Sequence, residues 1–330
     1  MTGSQVIIEE FHSRTLEGNP LGDPVMRRVP VYLPPGYDAK RRYPSLYLLS
    51  AFGNRGLKFM NDDLWEENIQ QRLDRLIGTG RVQPLIVVMP DASTRYGGSQ
   101  YVNSSATGQY EDHILELVEY MDGKYSTEDK PSARAVAGHS SGGFAALRFG
   151  MLHPDIFGLV ADHSGDKWFE MTFKPFFPEL LRYFDKVGET GLAALLADPA
   201  FELQKGASHE ALNLMAMASC FSPNPASKLG FDLPIDLHTG IIRPDVWARW
   251  LAFDPIENVA KHADALRSLK LIYFDCGKGD EYNLLYGTRL LTQKLSELKI
   301  PFTFEEYEGG HRNMKHRYDV SFAAISAAFS

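Results

Sequence analysis

One stretch constrains this chain more than any other: Ala135-Val136-Ala137-Gly138-His139-Ser140-Ser141-Gly142-Gly143. It reads as an apolar strand, a turn too tight for side chains at its flanks, and a helix whose first residues are small. A serine at the centre of such a strand-turn-helix is held in a strained backbone conformation, its hydroxyl exposed beyond the carboxyl end of a sheet. The helix beginning beside it points main-chain N–H groups, and the positive end of its dipole, toward any oxyanion formed there. Ser140 is therefore the candidate nucleophile. His139, adjacent in sequence, points the wrong way to serve as its base and reads as a packing residue.

The rest of the chain supplies a sheet for that turn. Short apolar runs alternate with segments of helical period, the pattern of crossover units on a mostly parallel sheet, so the fold class is doubly wound α/β. Strands are expected at 28–33, 45–50, 85–89, 133–139, 158–164, 269–276 and 302–306. Most are nearly continuous apolar runs, as strands covered on both faces should be. Residues 5–11 alternate more and are joined to 28–33 by the turn-rich segment Glu17–Pro24, which predicts an antiparallel hairpin at the sheet edge. Helices are expected around 114–125, at 141–151, 284–298 and 316–329. Between the strands ending near Ser164 and starting near Leu269 lie about a hundred residues with no clear strand, too many for a structureless loop in a compact domain. Segments 189–196, 209–219 and 244–253 within it have helical character. Residues 1–165 and 255–330 are thus read as the core and 166–254 as a helical cap inserted into it. More than half of its large aromatic residues are expected to pack against the core, and the remainder, with Trp168 and Phe169 chosen, to line the entrance over Ser140.

A serine hydroxyl is a poor nucleophile at neutral pH and needs a base, whose tautomer an acid must fix. On sheets bearing this turn the chain order is serine, acid, histidine. The strand at Leu271-Ile272-Tyr273-Phe274 opens into Asp275-Cys276-Gly277-Lys278-Gly279-Asp280-Glu281, which places carboxylates at a strand's carboxyl end, where such sheets bind ligands. Asp280 sits in the turn itself and is the preferred acid. Asp275 falls on the strand, and Glu281 reads as the N-terminal charge of the next helix. His311, in the loop Tyr307-Glu308-Gly309-Gly310-His311 after the last strand, is the candidate base. His163 precedes the acid in the chain, and His316 begins the terminal helix. The oxyanion donors are expected to be the N–H of Ser141 and one from Ser50-Ala51-Phe52-Gly53-Asn54. Phe52 is chosen there, with Gly53 beside it.

These segments, with Arg28-Val29-Pro30-Val31-Tyr32-Leu33-Pro34-Pro35-Gly36-Tyr37 and Val88-Met89-Pro90-Asp91, resemble an esterase family of the α/β-hydrolase fold. It includes esterase D-like enzymes (S-formylglutathione hydrolases), feruloyl esterases, the catalytic domain of enterochelin esterases and the mycolyltransferases. The resemblance covers most of the chain outside the cap. It implies an α/β-hydrolase fold and a serine esterase working through an acyl-enzyme intermediate. The family usually carries His-Gly ahead of the oxyanion residue, where this chain has Ser50-Ala51. The cap is longer than in esterase D-like members, so their substrate is not carried over.

Other classes fit less well. There is no HExxH and no ligand-spaced Cys or His pair apart from His311 and His316, so no metal is expected. Gly277-Lys278-Gly279-Asp280-Glu281-Tyr282 lacks the third glycine of a dinucleotide fingerprint, and no cofactor is expected. A net charge of −8 with no basic run argues against nucleic acid, and no apolar run approaches the ~18 residues of a membrane helix. Two cysteines and the absence of a recognisable signal segment make a cytoplasmic location the expectation. The partner is a small-molecule ester. An acyltransferase or thioesterase using the same triad, or a non-catalytic binding protein on this scaffold, remains an alternative, and the oligomeric state is not legible.

Overall fold

The computed structural model describes residues 3–329. Its strands are β1 (Gln5–His12), β2 (Met26–Leu33), β3 (Ser45–Leu49), β4 (Ile86–Val88), β5 (Asn103–Ser104), β6 (Gly108–Gln109), β7 (Arg134–His139), β8 (Leu159–His163), β9 (Leu271–Gly277) and β10 (Thr303–Tyr307). Eight of them form one sheet in the order β1-β2-β4-β3-β7-β8-β9-β10, and β5 pairs with β6 apart from it. All eight sheet strands fall where the apolar runs predict. The hairpin also stands at the edge: β1 pairs antiparallel with β2 from Gln5↔Leu33 to His12↔Met26. Beyond the antiparallel β2–β4 contact every pairing is parallel. This is the α/β-hydrolase fold, a mostly parallel sheet with helices on both faces.

The continuous apolar character of the inner strands follows from burial on both sides. Leu46 and Leu48 of β3 turn to one face, where they pack with Leu73 and Leu76 of helix 69–78 and Phe322 and Ile325 of helix 318–328. Tyr47 and Leu49 turn to the other, against Ile114 and Met121 of helix 110–124 and Ala145 and Phe149 of helix 141–152. Helix 69–78 was not anticipated, although its start carries a readable signal. Asn68 accepts from the Gln71 N–H while the Gln71 side chain accepts from the Asn68 N–H, a reciprocal capping box.

Between β8 and β9 the regular elements are helices, the longest at Phe177–Ala197, His209–Phe221 and Pro244–Leu251, with an irregular stretch at 222–243 that carries the bridges Pro223↔Phe231 and Ile235↔Ile242. The first helix is longer than its periodicity suggested, because it continues through a kink at Gly188 (φ 62°). These helices share one apolar cluster that rests on Phe144 of helix 141–152 and includes Phe169, Phe173, Phe221, Trp247 and Trp250. The two ends of the segment are stapled together. The buried Asp254 carboxylate accepts from the Trp168 N–H at 2.9 Å and the Phe169 N–H at 2.7 Å.

Because β7 lies in the middle of the sheet, the turn that follows it is surrounded by the carboxyl ends of β3, β8, β9 and β10. Loops distant in sequence thus converge on Ser140, at the end of an open parallel sheet where ligands bind.

Candidate active site

Ser140 has φ 58° and ψ −121°, a left-handed conformation that costs a non-glycine residue on the order of 1–3 kcal/mol and persists only where its surroundings enforce it. Those surroundings are visible. A Cβ on Gly138 would come within 2.4 Å of the Gly142 carbonyl carbon, and one on Gly142 within 2.4 Å of the Leu49 oxygen. The motif therefore requires glycine at both flanks. The Ser140 N–H donates to the His163 carbonyl at 2.9 Å, which ties the turn to the end of β8. Helix 141–152 begins immediately after it.

Asp280 follows β9, and its Oδ2 accepts from His311 Nδ1 at 2.8 Å. Burial works to raise the Asp280 carboxyl, but the hydrogen bond and charge of His311 outweigh it. With the N–H groups of Tyr282 and Leu284, they hold it below its ordinary value. The loop is fixed a second time by Glu281, whose carboxylate accepts the His311 main-chain N–H at 2.6 Å. Glu281 was expected to charge the start of the following helix. That helix begins only at Leu284, after a left-handed Asn283, which leaves Glu281 free to reach back to the histidine loop.

Asp275 lies elsewhere. On β9 it is fully buried, hydrogen-bonded to His163 Nδ1 at 2.7 Å, Arg317 Nε at 2.9 Å and the Tyr273 hydroxyl at 3.0 Å. His163 in turn meets Ser321 Oγ at 2.9 Å, so the group pins the terminal helix beneath the sheet ends.

Ser140, Ser141 and His311 line one cavity of about 300 Å³, together with Ala51, Phe52, Asn54 and His139. Among the described residues the His311 side chain has a single hydrogen bond, the one through Nδ1, so Nε2 is available to a group in the cavity. The N–H groups of Phe52 and Ser141 make no hydrogen bond within the described residues. The loop carrying Phe52 is anchored by the Gly53 N–H, which donates to Gly97 O at 2.9 Å, and by the Tyr101 hydroxyl, which donates to Ser50 O at 2.8 Å.

Trp168 and Phe169 are not brought to this cavity. Phe169 is 0% exposed and packs among Phe144, Phe173 and Phe221, with ring centroids 4.8–6.1 Å apart. Trp168 turns away toward Leu147, Met151 and Ile256. Their N–H groups are held by Asp254, and that staple aims both side chains into packing. The aromatic wall is instead Phe52, Phe173, Phe176 and Tyr282, with polar Thr172, His209, Glu210, Asn213 and Arg312 around it. The Asp166 carboxyl also faces in. It was not anticipated, and nothing local marks it in the sequence. Phe169→Ala is expected to cost about 3–5 kcal/mol of stability and leave selectivity unchanged. Phe176→Ala, at the half-buried wall, should change the kcat/KM ratio between bulky and acetyl esters severalfold at a nearly constant melting temperature. Thermal melts and kinetics on the two ester types check both.

Endo-1,4-beta-xylanase Y of Acetivibrio thermocellus is 30% identical over 149 residues, 42% of this chain and 13% of that protein. Esterase Rv1288 of Mycobacterium tuberculosis is 31% identical over 42% of this chain and 28% of that one. This chain thus spans well under a third of the length of either. Among solved structures, a ferulic acid esterase matches with a TM-score of 0.63 at 20% identity, covering 99% of this chain and 100% of that one. An S-formylglutathione hydrolase of Staphylococcus aureus matches with a TM-score of 0.59 at 17% identity over the whole of both chains. These two likenesses are in fold. The Esterase family model matches residues 25–329, nearly the full length, and the chain belongs to the Esterase family.

Proposed function

We propose that this chain is a serine carboxylic-ester hydrolase in which Ser140, His311 and Asp280 form the triad and residues 166–254 act as a cap that shapes the substrate cavity. The observation that carries this reading is the meeting, around one cavity, of a serine strained at a strand-helix turn and a histidine already bonded to a buried carboxylate.

The chemistry follows from those positions. Ser140 Oγ attacks the ester carbonyl carbon while His311 Nε2 takes its proton, and Asp280 stabilises the imidazolium through Nδ1. The N–H groups of Phe52 and Ser141 receive the oxyanion. Collapse of the tetrahedral intermediate expels the alcohol, which His311 protonates, and leaves the acyl group on Ser140. A water molecule activated by the same histidine then releases the acid. Every proton is carried by the chain's own groups, and the scheme calls on no metal or organic cofactor.

The cavity suits a small-molecule ester with an aromatic or extended apolar portion. Its volume is at the lower end of ligand sites, and its apolar wall is built from phenylalanine and tyrosine rings. A relative named Endo-1,4-beta-xylanase/feruloyl esterase, of Xylanibacter ruminicola, 28% identical over 48% of this chain and 22% of that protein, supports an aromatic acyl group. The cap supplies Asp166, Thr172, Phe173, Phe176, His209, Glu210 and Asn213 to that lining. No helix among the described residues is long and apolar enough to cross a membrane. The test is labelling with a fluorophosphonate followed by peptide mass spectrometry. A single adduct on Ser140 is expected, and an adduct on Ser141 or no reaction would overturn the reading.

A further inference from the structure

His139 and Tyr282 have no part in the proton transfers just described, yet they flank the group that carries them out. The His139 ring lies 4.5 Å from the His311 ring, centroid to centroid, tilted by 38°. The Tyr282 ring lies 4.8 Å from His311 at 71°, edge to face. Tyr282 is itself packed against Phe176 at 5.7 Å, and its N–H donates to Asp280 Oδ1 at 3.0 Å, so its place is set by the same carboxylate that holds the histidine. His139 is set by the end of β7, one residue before the strained turn.

We propose that His139 and Tyr282 form an aromatic clamp that positions His311 for proton transfer and favours its charged form. The proposal rests on the triad reading above. One hydrogen bond to Asp280 fixes where Nδ1 sits but leaves the imidazole free to rock about that bond. Two rings set against it, one from the end of β7 and one from the loop after β9, remove that freedom, and with it the arrangements in which Nε2 misses Ser140. The Tyr282 ring, within about 6 Å, also lets a cation gain from its aromatic quadrupole. The imidazolium is the form His311 must adopt each time it takes the serine proton.

Such a partner is useful only if it stays neutral, since a second imidazolium would repel the first. Burial, reinforced by the charge of His311, pushes His139 down to about 3, so it is neutral near neutral pH. Its Nε2 is enclosed without a hydrogen-bond partner.

The clamp is tested on the full-length protein by comparing ring-retaining with ring-removing variants: His139→Phe and Tyr282→Phe against His139→Leu and Tyr282→Leu. The readouts are kcat, KM and the acid limb of the kcat/KM pH profile on a soluble aryl ester. A lost ring destabilises the imidazolium, so the midpoint of the acid limb should move down. The charged and titratable groups around His311 are Asp280 and Glu281 on the loop after β9, Asp166 after β8, His209 and Glu210 of the cap, and Arg312 beside it. They are common to each Phe/Leu pair and cancel in the comparison. Each Leu variant is expected to lose about tenfold or more in kcat with KM within about threefold, and to shift the limb down by about half a pH unit. The Phe variants should retain most of both.

Leu variants that match their Phe counterparts in kcat and in pH midpoint would overturn the clamp. If His139→Leu does not fold, the Tyr282 pair, on a surface loop, decides the question alone. Failure of the clamp is distinct from failure of the triad: in the first case Ser140→Ala is inactive and the Leu variants behave like the Phe ones, and in the second Ser140→Ala retains its turnover.

Discussion

Ser140→Ala is expected to lower kcat by about 10⁶-fold, the loss seen when the nucleophile of a serine triad is removed, while the melting temperature barely moves. The stability expectation follows from what holds the turn. The Ser140 N–H bonds to His163 O and the flanking glycines accept the close approach of Leu49 and Gly142, and none of this involves the hydroxyl. Alanine meets the same left-handed φ as serine, so no new strain is introduced. Ester turnover and a thermal melt on the same preparation check the prediction. A variant that keeps more than about one hundredth of wild-type kcat would place the nucleophile elsewhere.

Asp280→Asn is expected to cut kcat by about 10⁴-fold with the fold intact, because asparagine cannot stabilise the Nδ1–H tautomer or the imidazolium. Asp275→Asn should do the reverse. Removing the charge of a fully buried carboxylate that serves His163, Arg317 and Tyr273 leaves those partners uncompensated, a loss of about 3–5 kcal/mol. Its kcat, measured at a temperature where the variant is folded, should stay within about tenfold of wild type. The opposite pattern would exchange the roles of the two aspartates.

Both carboxyls also make a statement about acid stability. For Asp275, burial works to raise the carboxyl and the charges and hydrogen bonds of His163 and Arg317 outweigh it, so that, like Asp280, it lies below the ordinary 3.8. A carboxyl lowered in the folded state stabilises the protein fully above its unfolded value, and that stability is lost as pH falls through the folded one. Denaturant titrations should therefore show wild-type stability dropping steeply below about pH 4. The drop should be shallower in Asp275→Asn, which has already lost one of the two groups.

Much of the site could be read without coordinates because its signals are local. The strand, turn and helix around Ser140 are contiguous, and their glycine requirement is a property of a few neighbouring residues. Asp280 follows a strand whose apolar run is plain, His311 follows the short last strand Thr303–Tyr307, and the edge hairpin shows in the alternation of residues 5–11. Periodicity of this kind depends on the nearest few side chains, so it survives in a bare sequence.

The sheet order β2-β4-β3-β7 leaves no such trace, yet it decides which loops surround Ser140. The aromatic wall illustrates the consequence. Trp168, Phe169, Phe173 and Phe176 are alike in composition and close in the chain, and Asp254, far along it, sets which of them pack and which face the cavity. Glu281 reads as a helix-start charge until the Asn283 turn lets it reach the His311 loop. His139 reads as a packing residue until the end of β7 and the loops after β9 and β10 set its ring and that of Tyr282 against one imidazole. Spacing along the chain specifies each element and the residue at its end. Which ends meet depends on strand order, loop reach and the docking of helices, energies that belong to contacts between distant segments and imprint no period on either.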